Sequence, residues 1–150
     1  MVVRYFGIDV PAQALFERLG TDRTGTRQNA LVRVLRELGV RVSIRYDNNF
    51  SLIKRNIDQD KLVIGYLEDA EHWMLLYGYA QQPDKVFVAD PRPGLGCEEP
   101  WHEYGERLGG FAMICSSPET KSTFEDVAEK YATGEHDQMA LPFGNIAKVD

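Results

Sequence analysis

The stretch His72-Trp-Met-Leu-Leu-Tyr-Gly-Tyr-Ala80-Gln-Gln-Pro-Asp84-Lys-Val-Phe-Val-Ala-Asp90-Pro91 decides the fold. Two apolar runs, His72 to Ala80 and Val86 to Ala89, flank the turn-forming residues Gln81-Gln82-Pro83-Asp84, so the spacing predicts an antiparallel hairpin. Its open end carries two titratable groups, because His72 begins the first strand and Asp90 follows the second. A carboxylate that holds an imidazole fixes its tautomer and stabilises its charged form, which is the second half of a nucleophile, base and orienter triad. The residues alone leave a plainer alternative open: a surface His at a strand end and an Asp capping a turn before proline.

Register makes the first reading testable. A four-residue turn opposes residues whose numbers sum to an odd value, and positions 72 and 90 then fall on opposite faces of the hairpin. For His72 and Asp90 to meet, the turn must have three or five residues, or one strand must carry a β-bulge.

Working outward, Leu62 to Leu67 reads as a strand, as does the alternation of Val40, Val42 and Ile44 with Arg41, Ser43 and Arg45. Phe111 to Cys115 is a final strand, after a break at Gly109-Gly110. The prolines in Asp90-Pro91-Arg92-Pro93-Gly94 take the chain out of the sheet, and Cys97 is read as part of a solvated loop. On the N-terminal side, Met1 to Phe6 reads as the last turns of a helix. Pro11 begins a second helix that Gly20 ends, and Thr26 caps a third that carries Leu31, Val34, Leu35 and Leu38 and closes at Gly39. Ser51 to Ile57 and Trp101 to Leu108 are short helical stretches. Helices followed by an antiparallel sheet of four or five strands make an α+β plan.

The full chain has 150 residues, 17 Lys and Arg against 23 Asp and Glu, and a net charge of −6. That balance removes any general attraction for phosphate backbones, so no nucleic-acid partner is expected. The acidity is uneven: residues 117–150 hold seven acids and three bases. Residues 1–116 are accordingly read as the folded domain and 117–150 as an acidic C-terminal helix and mobile tail. No apolar run approaches ~18 residues and no secretory signal is visible, so a membrane span is not expected and a cytoplasmic setting is.

Other motifs are weaker. The two cysteines, Cys97 and Cys115, are too few for a disulfide framework, and Cys115 follows an apolar run that predicts a buried small side chain. Cys97 with His102 lacks the further ligands of a closed metal site, so no metal and no cofactor is expected. Gly20 to Thr26 precedes a helix but has no Lys-Ser/Thr ending, which leaves a capping loop. Trp73 and Trp101 are candidates to line a peptide groove, with core packing as the alternative.

In order along the chain stand Arg-Tyr-Phe-Gly-Ile at 4–8, Leu-Gly-Thr-Asp at 19–22, Thr-Gly-Thr at 24–26, Leu-Val-Arg-Val-Leu-Arg-Glu-Leu-Gly at 31–39, His-Trp and Tyr-Gly-Tyr within 72–79, and Val-Phe-Val-Ala-Asp-Pro at 86–91. This series resembles the papain-like cysteine peptidases that process double-glycine bacteriocin leaders, over residues 1–116. The resemblance implies an α+β papain-like cysteine peptidase fold, with helices of residues 1–38 on an antiparallel sheet of residues 40–116. It assigns His72 as general base and Asp90 as its orienting acid, and it implies a peptide or protein substrate. In that family a Gln and a Cys-Gly-Pro motif precede the stretch matching Met1 to Gly7, so the expectation is a central helix truncated before its nucleophile.

Two functions follow as expectations. The first is a catalytically incompetent, peptide-binding module with its cleft near His72, Trp73 and Asp90. The second is an active thiol peptidase whose cysteine lies upstream of Met1. An unrelated small-molecule-binding α+β domain is a third reading.

Overall fold

The computed structural model describes residues 1–90 and 96–117. The chain exit at Pro91 to Gly94 and, from residue 118 onward, the acidic C-terminal helix and tail lie outside the described residues.

Three helices come first: α1 (Val2–Tyr5), α2 (Ala12–Leu19) and α3 (Gln28–Glu37). Gly20 ends α2 in the left-handed conformation, at φ 60°. Gly39 does the same after α3 at φ 88°, which lets the Gly39 and Val40 amides turn back onto the Arg36 and Leu35 carbonyls at 2.9 and 3.0 Å. The cap expected at Thr26 is not made. Arg27 occupies that position with no side-chain cap, because the Thr26 hydroxyl is instead 2.7 Å from that of Thr21.

The rest alternates strands with two short helices: β1 (Arg41–Arg45), α4 (Phe50–Ile57), β2 (Leu62–Leu67), β3 (His72–Ala80), β4 (Lys85–Ala89), β5 (Gly96–Pro100), α5 (Trp101–Arg107) and β6 (Leu108–Ser116). Asn49 starts α4, its side chain accepting the Leu52 amide at 2.9 Å. Among the described residues the strands form one six-stranded antiparallel sheet in the order β1-β6-β2-β3-β4-β5.

Two readings of the sheet change. Residues 96–100 form an edge strand rather than a solvated loop, with Cys97 opposite Val88. Gly-Cys-Glu-Glu-Pro has poor strand propensity, but an edge needs pairing on one side only and its carboxylates discourage a further strand. Gly109-Gly110 does not break β6 either. A Cβ at Gly109 would meet the Tyr66 carbonyl and Glu68 at 3.4 Å, an ordinary contact, and one at Gly110 would meet nothing within 4 Å, so pairing with β2 and not a need for glycine carries the strand through this dipeptide.

Alternation along the strands builds two separate cores. Val63, Leu67, Met74, Leu76, Val86, Val88, Ala112 and Ile114 face α4 and α5, where Leu52, Ile53, Ile57 and Tyr104 meet them. Leu62, Ile64, Leu75, Ala89, Met113 and Cys115 face α1 to α3, where Val3, Val32 and Leu35 cover them. Each fully buried aliphatic side chain contributes ~1.5–3 kcal/mol of transfer free energy, so a sheet buried on both faces specifies its register strongly.

Candidate functional site

The turn of β3 and β4 spans Gln81 to Asp84, the four residues read from the sequence, since Ala80 opposes Lys85. Near this turn the register is odd, with Tyr79 opposite Val86 and Gly78 opposite Phe87. The register then shifts between Leu76 and Gly78, so that Leu76 opposes Val88 and Leu75 opposes Ala89. Tyr77 is the extra residue of a β-bulge, and beyond it the register is even. This is the bulge that the four-residue turn requires if positions 72 and 90 are to share a face.

They do share one. His72 opposes Leu67, on the face of Met74 and Leu76, and Asp90 lies one step past Ala89. His72 Nε2 and Asp90 Oδ1 are 2.8 Å apart, with side chains 17% and 16% exposed. The pair is shielded enough to strengthen its interaction and still reachable from solvent. A carboxylate can only accept, so Nε2 carries the proton and donates it to Asp90, leaving Nδ1 as the ring's basic nitrogen.

The segment leading into His72 is braced from α5 and β6. The Glu68 amide donates to the Arg107 carbonyl at 3.0 Å, and Arg107 Nε donates to Asp69 Oδ2 at 2.8 Å. That ion pair is exposed and worth less than ~1 kcal/mol, so its contribution is mainly geometric. Tyr104 on α5 is 1% exposed, and its hydroxyl has no hydrogen-bond partner among the described residues. Burial and the nearby charges of Cys97, Glu99 and Asp90 push its pKa up.

Neither thiol has the setting of a nucleophile. Cys115 is fully buried on the α1 to α3 face, and burial pushes its thiol up to about 12. Cys97 is exposed, but desolvation and the neighbouring Glu99 and Asp90 carboxylates raise its pKa. A catalytic thiolate needs an electropositive setting that lowers the pKa, and both cysteines have the opposite. Among the described residues no group of three His, Cys, Asp or Glu converges as a metal site, and no helix is long and apolar enough to cross a membrane.

The tryptophans do not line one groove together. Trp73 belongs to the α1 to α3 face, its indole donating to the Thr26 carbonyl at 2.8 Å and packing on Tyr66 and Phe111. Trp101 packs on Phe50 on the opposite face. Sequence reasoning did not find the bulge residue Tyr77, the support from Arg107 or the buried Tyr104. The conflict between an odd register and a paired His72 and Asp90 was the signal that pointed to a bulge without locating it.

Comparisons with known proteins bear on the fold. The structure is similar to the crystal structure of the peptidase domain of Streptococcus ComA, a bi-functional ABC transporter involved in quorum sensing, at TM-score 0.62 and 18% identity, covering 79% of this chain and 85% of that one. It is similar to a double glycine motif protease from an AMS/PCAT transporter, crystallised in complex with the leader peptide, at TM-score 0.63 and 18% identity over 79% of each chain. The Streptococcus mutans ComA peptidase domain matches at TM-score 0.54 and 15% identity, over 69% of this chain and 85% of that one. These likenesses establish a papain-like fold. No curated protein sequence matches the chain. The Peptidase C39 family model matches residues 1–97, the span that carries α1 to α4, the bulged hairpin and both His72 and Asp90, and the chain belongs to that family.

Proposed function

We propose that this domain binds an extended peptide of the double-glycine leader class beside His72 and Asp90, with His72 as the base and Asp90 as the acid that orients it. The observation that carries this is the 2.8 Å contact from His72 Nε2 to Asp90 Oδ1, made possible by a register shift within β3. Asp90 holds the ring with Nδ1 free of the proton, ready to take one from a thiol and to return it to a leaving amine. The AMS/PCAT relative, crystallised with its leader peptide, supports the same class of ligand here.

On this reading neither cysteine of residues 1–150 supplies the nucleophile: Cys115 is buried on the opposite face of the sheet, and the carboxylates beside Cys97 disfavour its thiolate. On this reading the chain as given binds its peptide and does not cleave it. Residues 1–116 are the folded unit, residues 117–150 a separate acidic segment, and a reducing cytoplasmic setting suits the two free thiols. A second reading, an active thiol peptidase, is favoured by the complete His72 and Asp90 geometry and takes its cysteine from a segment preceding Met1.

The test is incubation of the 150-residue chain with double-glycine leader peptides, read by calorimetry for binding and by mass spectrometry for cleavage. Binding without cleavage sensitive to thiol alkylation is expected. Robust cleavage lost on Cys97→Ala or Cys115→Ala overturns the assignment of the nucleophile. Cleavage by a chain extended through its upstream reading frame, falling ~100-fold or more with His72→Ala, decides for the second reading.

A further inference from the structure

We propose that Tyr77 and Gly78 form a positioning device, a bulge that selects the face of the sheet on which Asp90 meets His72, held in place by Phe87 and Gly96. The proposal deepens the reading above and rests on it for its functional consequence, while its geometry stands on the register alone.

From the turn inward, Ala80, Tyr79 and Gly78 oppose Lys85, Val86 and Phe87. Continued without interruption, that register sets Asp90 across from Leu75, whose side chain belongs to the α1 to α3 core. Asp90 and His72 would then point away from each other through the sheet. The extra residue Tyr77 moves the pairing by one, so that Leu75 opposes Ala89 and the next step sets Asp90 across from Met74, on the face of His72. Residues two apart across a strand pair are within reach of side chains of this length. A single residue therefore decides whether the pair exists.

The bulge is locked by close packing across three strands. A Cβ on Gly78 would lie 2.5 Å from the Phe87 ring atom Cδ2, and a Cβ on Gly96 would lie 2.6 Å from the Tyr77 hydroxyl oxygen. Both glycines are thus needed for space: the Phe87 ring occupies one vacancy and the Tyr77 hydroxyl the other. The Tyr77 and Phe87 rings, 6.3 Å between centroids, close the gap between them. Desolvation at this packed position raises the Tyr77 pKa.

The test reads the His72 ring itself by nitrogen-15 NMR, in the absence of peptide. In the unaltered chain a deshielded proton on His72 Nε2, lost in Asp90→Ala, is expected. Deletion of Tyr77 should abolish that proton in a folded chain. Deletion of Tyr77 combined with one glycine inserted between Asp84 and Lys85 restores the 18-residue separation of His72 and Asp90, replaces the bulge with a five-residue turn, and should bring the signal back. A merely structural role for Tyr77 would not produce that rescue. Persistence of the signal in the folded deletion, or its absence in a folded rescue variant, overturns the proposal. If neither folds, Gly78→Ala decides: displacement of Phe87 should weaken or remove the signal, and an unchanged His72 spectrum overturns the proposal. Because no peptide is present, failure of the peptide-binding reading leaves this outcome unaffected.

Discussion

On one face of the sheet α4 begins with a side-chain cap from Asn49 and continues with Asn56, which is 8% exposed and bonded back to the Leu52 carbonyl at 2.8 Å. On the other face α1, α2 and α3 all begin without a side-chain cap, and α2 contains no buried residue. Polar ties between elements occur on both faces, Tyr79 donating to Asp58 at 2.6 Å on one and the Trp73 indole to the Thr26 carbonyl at 2.8 Å on the other. Helix α4 is encoded locally, by its own cap and its own apolar stripe, and the sheet confirms it. The α1 to α3 helices depend on the sheet for their stability, as short helices generally do. The His72 and Asp90 pair belongs to the face of α4 and of α5, the latter itself without a side-chain cap.

The largest effects should test whether both cores matter equally despite this contrast. Leu76 on the α4 face and Met113 on the other are each 0% exposed. Truncation to alanine at either should destabilise by ~2–5 kcal/mol, measured by urea unfolding. A loss under ~1 kcal/mol at Met113 alone would show the α1 to α3 face to be loosely packed and would break the symmetry of the two cores.

Alkaline pH sharpens the contrast from the Cys115 side. Burial pushes this thiol up to about 12 from its ordinary 9.0, while the unfolded chain ionises at the ordinary value. Above pH 9 the unfolded state therefore gives up a proton that the folded state retains, and stability falls as pH rises toward 12. Below pH 9 the contribution is constant. Urea midpoints measured on either side of pH 9 should show a decline that Cys115→Val reduces. An identical decline in the variant would mean that Cys115 ionises freely in the folded chain.

A smaller effect separates capped from uncapped helices. Asn49→Ala should cost ~1 kcal/mol, whereas Arg27→Ala, at the corresponding position of the uncapped α3, should stay within ~0.5 kcal/mol. Equal losses would erase the distinction between local and tertiary support.

The smallest effect, and the one most informative in sign, is at Tyr104. Its buried hydroxyl has no partner among the described residues, so Tyr104→Phe removes a desolvated donor and should leave stability unchanged or raise it by up to ~1 kcal/mol. A clear loss of stability would reveal a hydrogen bond at this position.

The sequence by itself determined the local elements. Period-3.6 and period-2 apolar patterns located α3, β2 and β3, and glycines at 20 and 39 ended helices because only glycine enters the left-handed region without strain. The four-residue turn was legible too, as was the identity of the two titratable residues at the hairpin's open end. What the chain pattern did not determine was decided by neighbours distant in sequence. Strand β5 exists because β4 offers an edge to Gly96–Pro100, whose own propensity opposes it. Strand β6 runs through Gly109-Gly110 because β2 pairs with it on both sides of that dipeptide, at Leu108 and at Ala112. Thr26 leaves α3 uncapped because Thr21 competes for its hydroxyl. Above all, the position of the bulge at Tyr77 depends on Phe87 and Gly96 from two other strands. A single strand's pattern has period two and is blind to where one extra residue is accommodated, so only packing across three strands could bring His72 to Asp90.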